Sequence, residues 1–194
     1  MQTRWQDWVH VTVSTYGTWL PGDPRGFRDH DHRVHSSGDY RHRPPEGEHA
    51  GLHRLAREAV GAEVHLPPHL RKIVAEVIAK KLAACGVAVR IAAVAKTHAH
   101  ILARVGNVDA KPIIGRAKQA ASHRVRDELP ETIWSQGCGV VRVESETQYR
   151  RVVAYIERHR NEGAFVWIHP QFGINPDLRK PSGQASECRD HPLA

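Results

Sequence analysis

The 194-residue sequence contains no apolar run near the roughly 20 residues that a membrane-spanning helix needs, so we expect no membrane partner. Its first ten residues do not pair a cationic stretch with an apolar core, and we expect no secretory signal. Cysteine is scarce: Cys85, Cys138 and Cys188 form no C-x-x-C pair, which disfavours a zinc knuckle and a disulfide scaffold. A reducing cytoplasm is therefore the expected location.

Acidic residues are outnumbered by basic ones. The chain has 28 Lys and Arg against 21 Asp and Glu, a formal net charge of +7 and an isoelectric point of about 9.7. A basic surface attracts phosphate before any specific contact forms, so this balance favours a polyanionic partner such as nucleic acid. Histidine is abundant, with 15 residues in a chain long enough for one compact domain.

Hydrophobic periodicity predicts an α+β fold. In chain order we expect a strand at 8–16, a helix at 67–85, strands at 87–95 and 97–105, a helix at 110–129, a strand at 139–144 and a helix at 146–161. The first six elements follow the β-α-β-β-α-β order of the ferredoxin-like fold, an antiparallel sheet with two helices on one face. The last element is an additional C-terminal helix.

Two segments fall outside this pattern. Residues 23–66 are rich in histidine, arginine, glycine and proline, which predicts a polar insertion. It is either a solvated loop or a basic loop that becomes ordered on a phosphate backbone. Residues 171–194 are polar and predict a loosely held tail. The expected organisation is one domain over residues 1–170, containing the insertion, followed by the tail.

His98 and His100 form the most informative pair in the sequence. Residues i and i+2 of a strand point to the same face, so the two imidazoles should project side by side, about 6–7 Å apart, with Ala99 on the other face. Two such rings can hold one divalent ion if a third ligand arrives from elsewhere. The alternative is a pair of partly exposed histidines without a ligand, and the spacing alone does not separate the two.

A second pair lies on the last predicted helix. Tyr155 and His159 are four residues apart and therefore share one helical face, whereas Tyr149 points elsewhere. His159 is a candidate third metal ligand. Tyr155 is a candidate nucleophile, because a divalent ion that polarises a phosphate makes attack by a phenol of pKa ~10 feasible. The alternative for Tyr155 is an ordinary packing residue between helix and sheet.

Together these features resemble the HUH single-tyrosine transposases, which include insertion-sequence transposases and the REP-associated tyrosine transposases. The resemblance rests on the order and distance of His98-Ala99-His100, Trp134-Ser135 and Tyr155, and it covers about residues 8–163. The segment YGTWLPGD at 16–23 is also similar to the segment that follows the first strand in some members.

The resemblance implies a metal-dependent endonuclease and strand transferase that acts on single-stranded DNA at hairpin-flanked sites. By this resemblance His98, His100 and His159 bind Mg²⁺ or Mn²⁺, and Tyr155 attacks the scissile phosphate to give a 5′-phosphotyrosine and a free 3′-hydroxyl. Family members commonly have Gln or Asn where this chain has His159, a difference that favours a softer ion. Members of the superfamily act as monomers or as dimers that exchange the tyrosine helix, so we expect a monomer or a homodimer.

Four cations are candidate DNA contacts. Lys96 lies next to the histidine strand, and Arg116, Lys118 and Arg124 lie on the predicted helix at 110–129. Such cations would bind the phosphates of hairpin DNA. The alternative for the helix cluster is a solvated face.

Two other functions stay open. One is a catalytically inactive or domesticated protein that binds DNA hairpins, which would form no covalent adduct with an oligonucleotide. The other is an RRM-like RNA-binding module. The strands at 87–95 and 97–105 disfavour it, because they lack the surface aromatic residues on which such modules stack bases.

Overall fold

The computed structural model of the chain describes residues 5–27 and 45–170. Residues 28–44 of the predicted insertion and the whole predicted tail at 171–194 lie outside the described residues. In chain order the elements are β1 (Trp8–Ser14), α1 (Ala50–Val60), α2 (Pro68–Ala84), β2 (Ala88–Val94), β3 (His98–Arg104), α3 (Ala110–Val125), β4 (Gly139–Arg142), α4 (Glu146–Arg158), a 3₁₀ turn (His159–Glu162) and β5 (Phe165–Ile168). The predicted α+β class is confirmed.

The strands of the described region form one antiparallel sheet in the order β4-β1-β3-β2-β5. β3 is central, with β1 on one side and β2 on the other. The pairing of β1 with β3 sets Thr12 opposite His100 and Ser14 opposite His98. Alternate residues of a strand face opposite sides of the sheet, so each of these strands contributes to two separate layers.

The helices α2 and α3 cover one face of the sheet. α2 begins at Pro68, where a proline is tolerated because the first helical N–H has no partner to lose. Its buried residues Leu70, Val74, Ile78 and Leu82 recur every four positions and pack with the odd-numbered residues of β1 and β3 in the larger core. Burial of such side chains contributes roughly 1.5–3 kcal/mol each. This layer is therefore the main source of the fold's stability.

The helix α4 packs on the opposite face through a smaller core. The side chain of Ser145 accepts a hydrogen bond from the backbone N–H of Gln148 (3.2 Å), and the Gln148 side chain accepts one from the N–H of Glu144 (2.7 Å), which fixes the start of the helix. Ile156, which is fully buried, packs with Trp8 and Leu102 of the sheet. The C-terminal end of α4 therefore lies over the central strand.

Two elements were not predicted. The helix α1 lies within the predicted polar insertion and contributes no buried residue, and the polar composition of the surrounding segment favoured a loop there. The strand β5 is only four residues long and pairs with β2 at the edge of the sheet. It follows Gly163, whose φ of 80° turns the chain back and whose carbonyl accepts a hydrogen bond from Arg71 (2.6 Å). This pairing is long-range and leaves no local signal.

The length and apolar content of the helices decide whether any of them could cross a membrane. None of the helices within residues 5–27 and 45–170 is long and apolar enough to span a bilayer.

Candidate metal and nucleophile site

Three histidines meet where the end of α4 crosses β3. His98 and His100 project from one face of β3, and His159 stands at the first position of the 3₁₀ turn that continues α4. One potential ligand atom from each of the three lies within 4.8 Å of the others. His100 and His159 are buried, with 6 % and 5 % of their surfaces exposed. The three imidazoles therefore form a compact and largely dry cluster.

Hydrogen bonds orient each ring of the cluster through its Nδ1 atom. Nδ1 of His159 donates to the carbonyl oxygen of Tyr155 (2.9 Å), which leaves the lone pair on Nε2. Nδ1 of His98 is 3.3 Å from the hydroxyl of Thr97. Nδ1 of His100 lies 3.1 Å from Nε2 of His10 and 3.2 Å from the hydroxyl of Thr12. Outer partners of this kind are what fix the tautomer and orientation of histidine ligands in metal sites, so the cluster fits a bound cation.

Tyr155 lies against this cluster. Its hydroxyl is 3.3 Å from Nε2 of His100, and its ring centroid is 5.1 Å from that of His100 and 4.7 Å from that of His159. The side chain remains 38 % exposed, and the guanidinium carbon of Arg158 is 5.8 Å from the ring centroid. The phenol oxygen therefore points at the candidate metal ligands, while solvent and a substrate still have access to it.

The electrostatics of the cluster favour neutral imidazoles. Burial and, to a smaller extent, the neighbouring His98, His10 and His159 together lower the pKa of His100 to about 3. Burial also lowers the pKa of His98. The nearby His159 and Arg25 lower this pKa as well, whereas Glu162 raises it. The pKa of His10 is lowered by burial and by His159. A neutral imidazole is the form that coordinates a metal.

The lowered pKa of His100 predicts how the stability of the metal-free protein depends on pH. Between about pH 7 and pH 4 the imidazole of His100 binds a proton in the unfolded chain but not in the folded protein. The free energy of unfolding therefore falls as the pH falls. His100→Gln should flatten that dependence in urea titrations of chelator-treated protein. His123→Gln, at an exposed histidine on α3, is the matched control and should leave it unchanged. An unaltered pH dependence in His100→Gln would contradict the prediction.

The candidate DNA-binding cations separate into two groups. Lys96 is exposed in the turn between β2 and β3, two residues before His98. Arg116, Lys118 and Arg124 lie on α3, which packs on the opposite face of the sheet from the histidines. The ammonium of Lys118 donates to the carbonyls of Ser135 and Gly137 (2.7 Å each), and burial lowers its pKa. The sheet therefore separates the α3 cations from the histidine cluster, and Lys118 holds a loop.

A family model described as "Transposase IS200 like" matches residues 63–159, which is half of the chain. The chain belongs to the IS200-like transposase family. This membership confirms the resemblance to the HUH transposases, and the matched region includes both strand histidines, Tyr155 and His159. β1 and the loop that follows it lie outside the match. The chain matches no curated protein and no solved structure.

Several residues of the site were missed by the sequence analysis. His10 and Thr12 of β1 reach His100, and the charge of Arg25 acts on His98. The alternation of residues 8–14 places His10 and Thr12 on one face of a strand, which was the available signal. It does not say which residue of β3 stands opposite, because strand register is set by the tertiary fold. These contacts therefore became visible only in the structure.

Proposed function

We propose that this family member is a transposase that cleaves and rejoins single-stranded DNA at hairpin-flanked sites, with Tyr155 as the nucleophile. One observation carries the proposal: the hydroxyl of Tyr155 lies 3.3 Å from a ligand nitrogen of the three-histidine cluster, in a chain of the IS200-like transposase family. Metal-assisted covalent phosphoryl transfer uses a nucleophile placed beside a cation that polarises the phosphate, and the position of Tyr155 beside the three histidines suits that arrangement.

His98, His100 and His159 would hold the divalent cation. When bound, the cation polarises a phosphate oxygen and stabilises the negative charge that develops during displacement. Three imidazoles with outer hydrogen-bond partners fit this role. Imidazole nitrogens suit transition metals better than Mg²⁺, so we propose Mn²⁺ or a softer ion over Mg²⁺ as the preferred cofactor.

In the chemical step Tyr155 is the nucleophile and the 3′ oxygen of the DNA is the leaving group. The Tyr155 oxygen attacks the phosphorus, the Tyr155 O–P bond forms, and the bond from phosphorus to the 3′ oxygen breaks. The phenolic proton is released to solvent, to which the side chain is open, and the departing 3′ oxygen takes up a proton. The products are a 5′-phosphotyrosine and a free 3′-hydroxyl. Attack of a 3′-hydroxyl on the phosphotyrosine reverses these bond changes and joins the strand to a new end.

The proposed site is assembled within one chain. Ile156 anchors α4 on the sheet that carries His98 and His100, so Tyr155 and the histidines need no second subunit to meet. We therefore propose that Tyr155 acts in cis in a monomer. The arrangement fits a ferredoxin-like domain, since β4-β1-β3-β2 with α2 and α3 on one face is the order expected of that fold.

The path of the DNA backbone follows the cations around the site. Lys96 lies beside the histidine strand and Arg158 lies beside Tyr155, so both can contact phosphates next to the scissile one. The cations of α3, Arg116 and Arg124, lie behind the sheet and would contact a more distant arm of the hairpin.

The proposed function is tested by the covalent product. The protein is incubated with libraries of single-stranded hairpin oligonucleotides, labelled at the 5′ or the 3′ end, with Mn²⁺. Denaturing gels then separate free and protein-linked DNA. We expect a protein-linked species that carries the 3′ label and a shortened free species that carries the 5′ label. Binding without any adduct would contradict the enzymatic proposal and favour a DNA-hairpin-binding protein without catalysis.

Binding should also depend on salt. If about five to seven phosphates are neutralised, log K should fall against log salt concentration with a slope of about −3.5 to −5 for a single strand. Lys96→Gln should make that slope about 0.7 shallower, because one phosphate contact is lost. Lys80→Gln, an exposed lysine on α2, is the control and should not change it. Fluorescence anisotropy measures both, and an affinity that stays flat with salt would exclude phosphate contacts as the main source of binding.

A further inference from the structure

The loop after β1 is fastened to the turn that leads into the histidine strand. The backbone N–H and the hydroxyl of Thr15 both donate to the carbonyl of Thr97, at 2.8 Å and 3.0 Å, and Thr97 immediately precedes His98. Thr18 is buried, and its hydroxyl donates to the carbonyl of Thr15 (2.8 Å). Thr15 is fully buried as well. The next residue, Trp19, is therefore held at a fixed place beside the candidate active site.

The guanidinium of Arg25 lies over the ring of Trp19 and is held there by hydrogen bonds. The guanidinium carbon of Arg25 lies 4.5 Å from the centroid of the Trp19 ring. Arg25 donates from its Nε to Oδ1 of Asp23 (2.8 Å) and from its Nη2 to Oδ2 (2.6 Å), and it also donates to the carbonyl of Thr18. Asp23 is only 4 % exposed, so the carboxylate that fixes the guanidinium cannot move away. A stacked arginine and tryptophan pair of this kind is preorganised before any ligand arrives.

Trp19 is more exposed to solvent than the other four tryptophans of the chain. Half of its surface (50 %) is open to solvent. Trp8 and Trp134 are buried, and Trp5 and Trp167 are half-buried. An indole is costly to leave in water, and here the ion pair of half-exposed Arg25 with buried Asp23 lies against the exposed ring. Packing does not explain this arrangement, whereas a ligand with a flat face does.

We propose that Trp19 is a stacking platform for an unpaired base of single-stranded DNA, adjacent to the scissile phosphate, with Arg25 bound to the neighbouring backbone phosphate. The proposal rests on the proposed function for its substrate class and adds the element that holds a base. Stacking on an aromatic ring is tolerant of sequence because every base has a flat face, and the half-exposed guanidinium of Arg25 offers N–H donors at the same point. The loop lies outside the residues that match the family model.

Binding to two probes of equal charge tests this platform. One is a fluorescent oligothymidylate of about 16 nucleotides, and the other is an abasic oligomer with the same backbone. Both are measured in the Tyr155→Phe background without metal, so that cleavage plays no part. The protein with Trp19 intact should prefer the thymidylate. Trp19→Ala should weaken thymidylate binding by about 5- to 150-fold and remove the preference, with an unchanged salt slope. Trp19→Phe should retain part of the preference.

The controls separate stacking from general damage. Val141→Ala, which removes an exposed apolar group from β4, should leave both affinities unchanged. The proposal is overturned if the intact protein binds the two probes equally, or if Trp19→Ala keeps the preference. These experiments also distinguish a failure of the stacking platform from a failure of the proposed function. A base preference that depends on Trp19 without any covalent adduct refutes only the enzymatic proposal, and an adduct without that preference refutes only the platform.

Discussion

Replacing Tyr155 with phenylalanine should abolish the covalent protein–DNA adduct and leave DNA affinity unchanged. The substitution removes one oxygen from a side chain that is 38 % exposed, so the fold and the DNA-binding surface should persist. Loss of a covalent nucleophile typically costs on the order of 10⁶-fold in rate. The adduct should therefore fall below detection on denaturing gels, while anisotropy titrations report an unaltered dissociation constant.

The matched control is the other tyrosine of α4. Tyr149 lies on the same helix, but its ring packs against those of Trp5 and Trp8, with centroids 5.1 Å away in each case. Tyr149→Phe should form the adduct at a normal rate. Adduct formation by Tyr155→Phe together with its loss in Tyr149→Phe would show that the nucleophile has been assigned to the wrong residue.

Local patterns were sufficient to predict which residues share a face. The i, i+2 spacing of His98 and His100 and the i, i+4 spacing of Tyr155 and His159 are properties of a strand and a helix, and in the structure all four side chains meet. The α+β class followed from the same periodicities. Each of these inferences needs only the geometry of one element, together with the order of elements along the chain.

Contacts between elements could not be read in the same way. The partnership of His10 with His100 depends on strand register, and the edge pairing of β5 with β2 joins segments about 75 residues apart. The cations of α3 were grouped with Lys96 on charge alone, although the sheet lies between them. A basic residue in a sequence carries no information about which face of a layered fold it will occupy, and that information came only from the packing.

Replacing His100 with alanine should remove both metal binding and cleavage while the protein stays folded. His100 contributes a candidate ligand nitrogen 3.3 Å from the Tyr155 hydroxyl, and its ring joins the β1 partners to the cluster. Calorimetric titration with Mn²⁺ should show affinity reduced by more than about 100-fold, because even outer-sphere changes in metal sites cost 10- to 100-fold. His98→Ala should behave alike, since both rings lie on one face of β3.

A histidine far from the cluster in sequence, His69, provides the matched control. His69→Ala alters an exposed histidine at the start of α2 and should retain metal affinity and adduct formation. Thermal melts establish that each variant folds, and His98→Asn provides a smaller perturbation if the alanine variants are unstable. Unchanged Mn²⁺ affinity in a folded His100→Ala protein that no longer forms the adduct would mean that the cluster positions Tyr155 without holding a cation. The cation would then have to be bound elsewhere, and the three-histidine site would lose its proposed role.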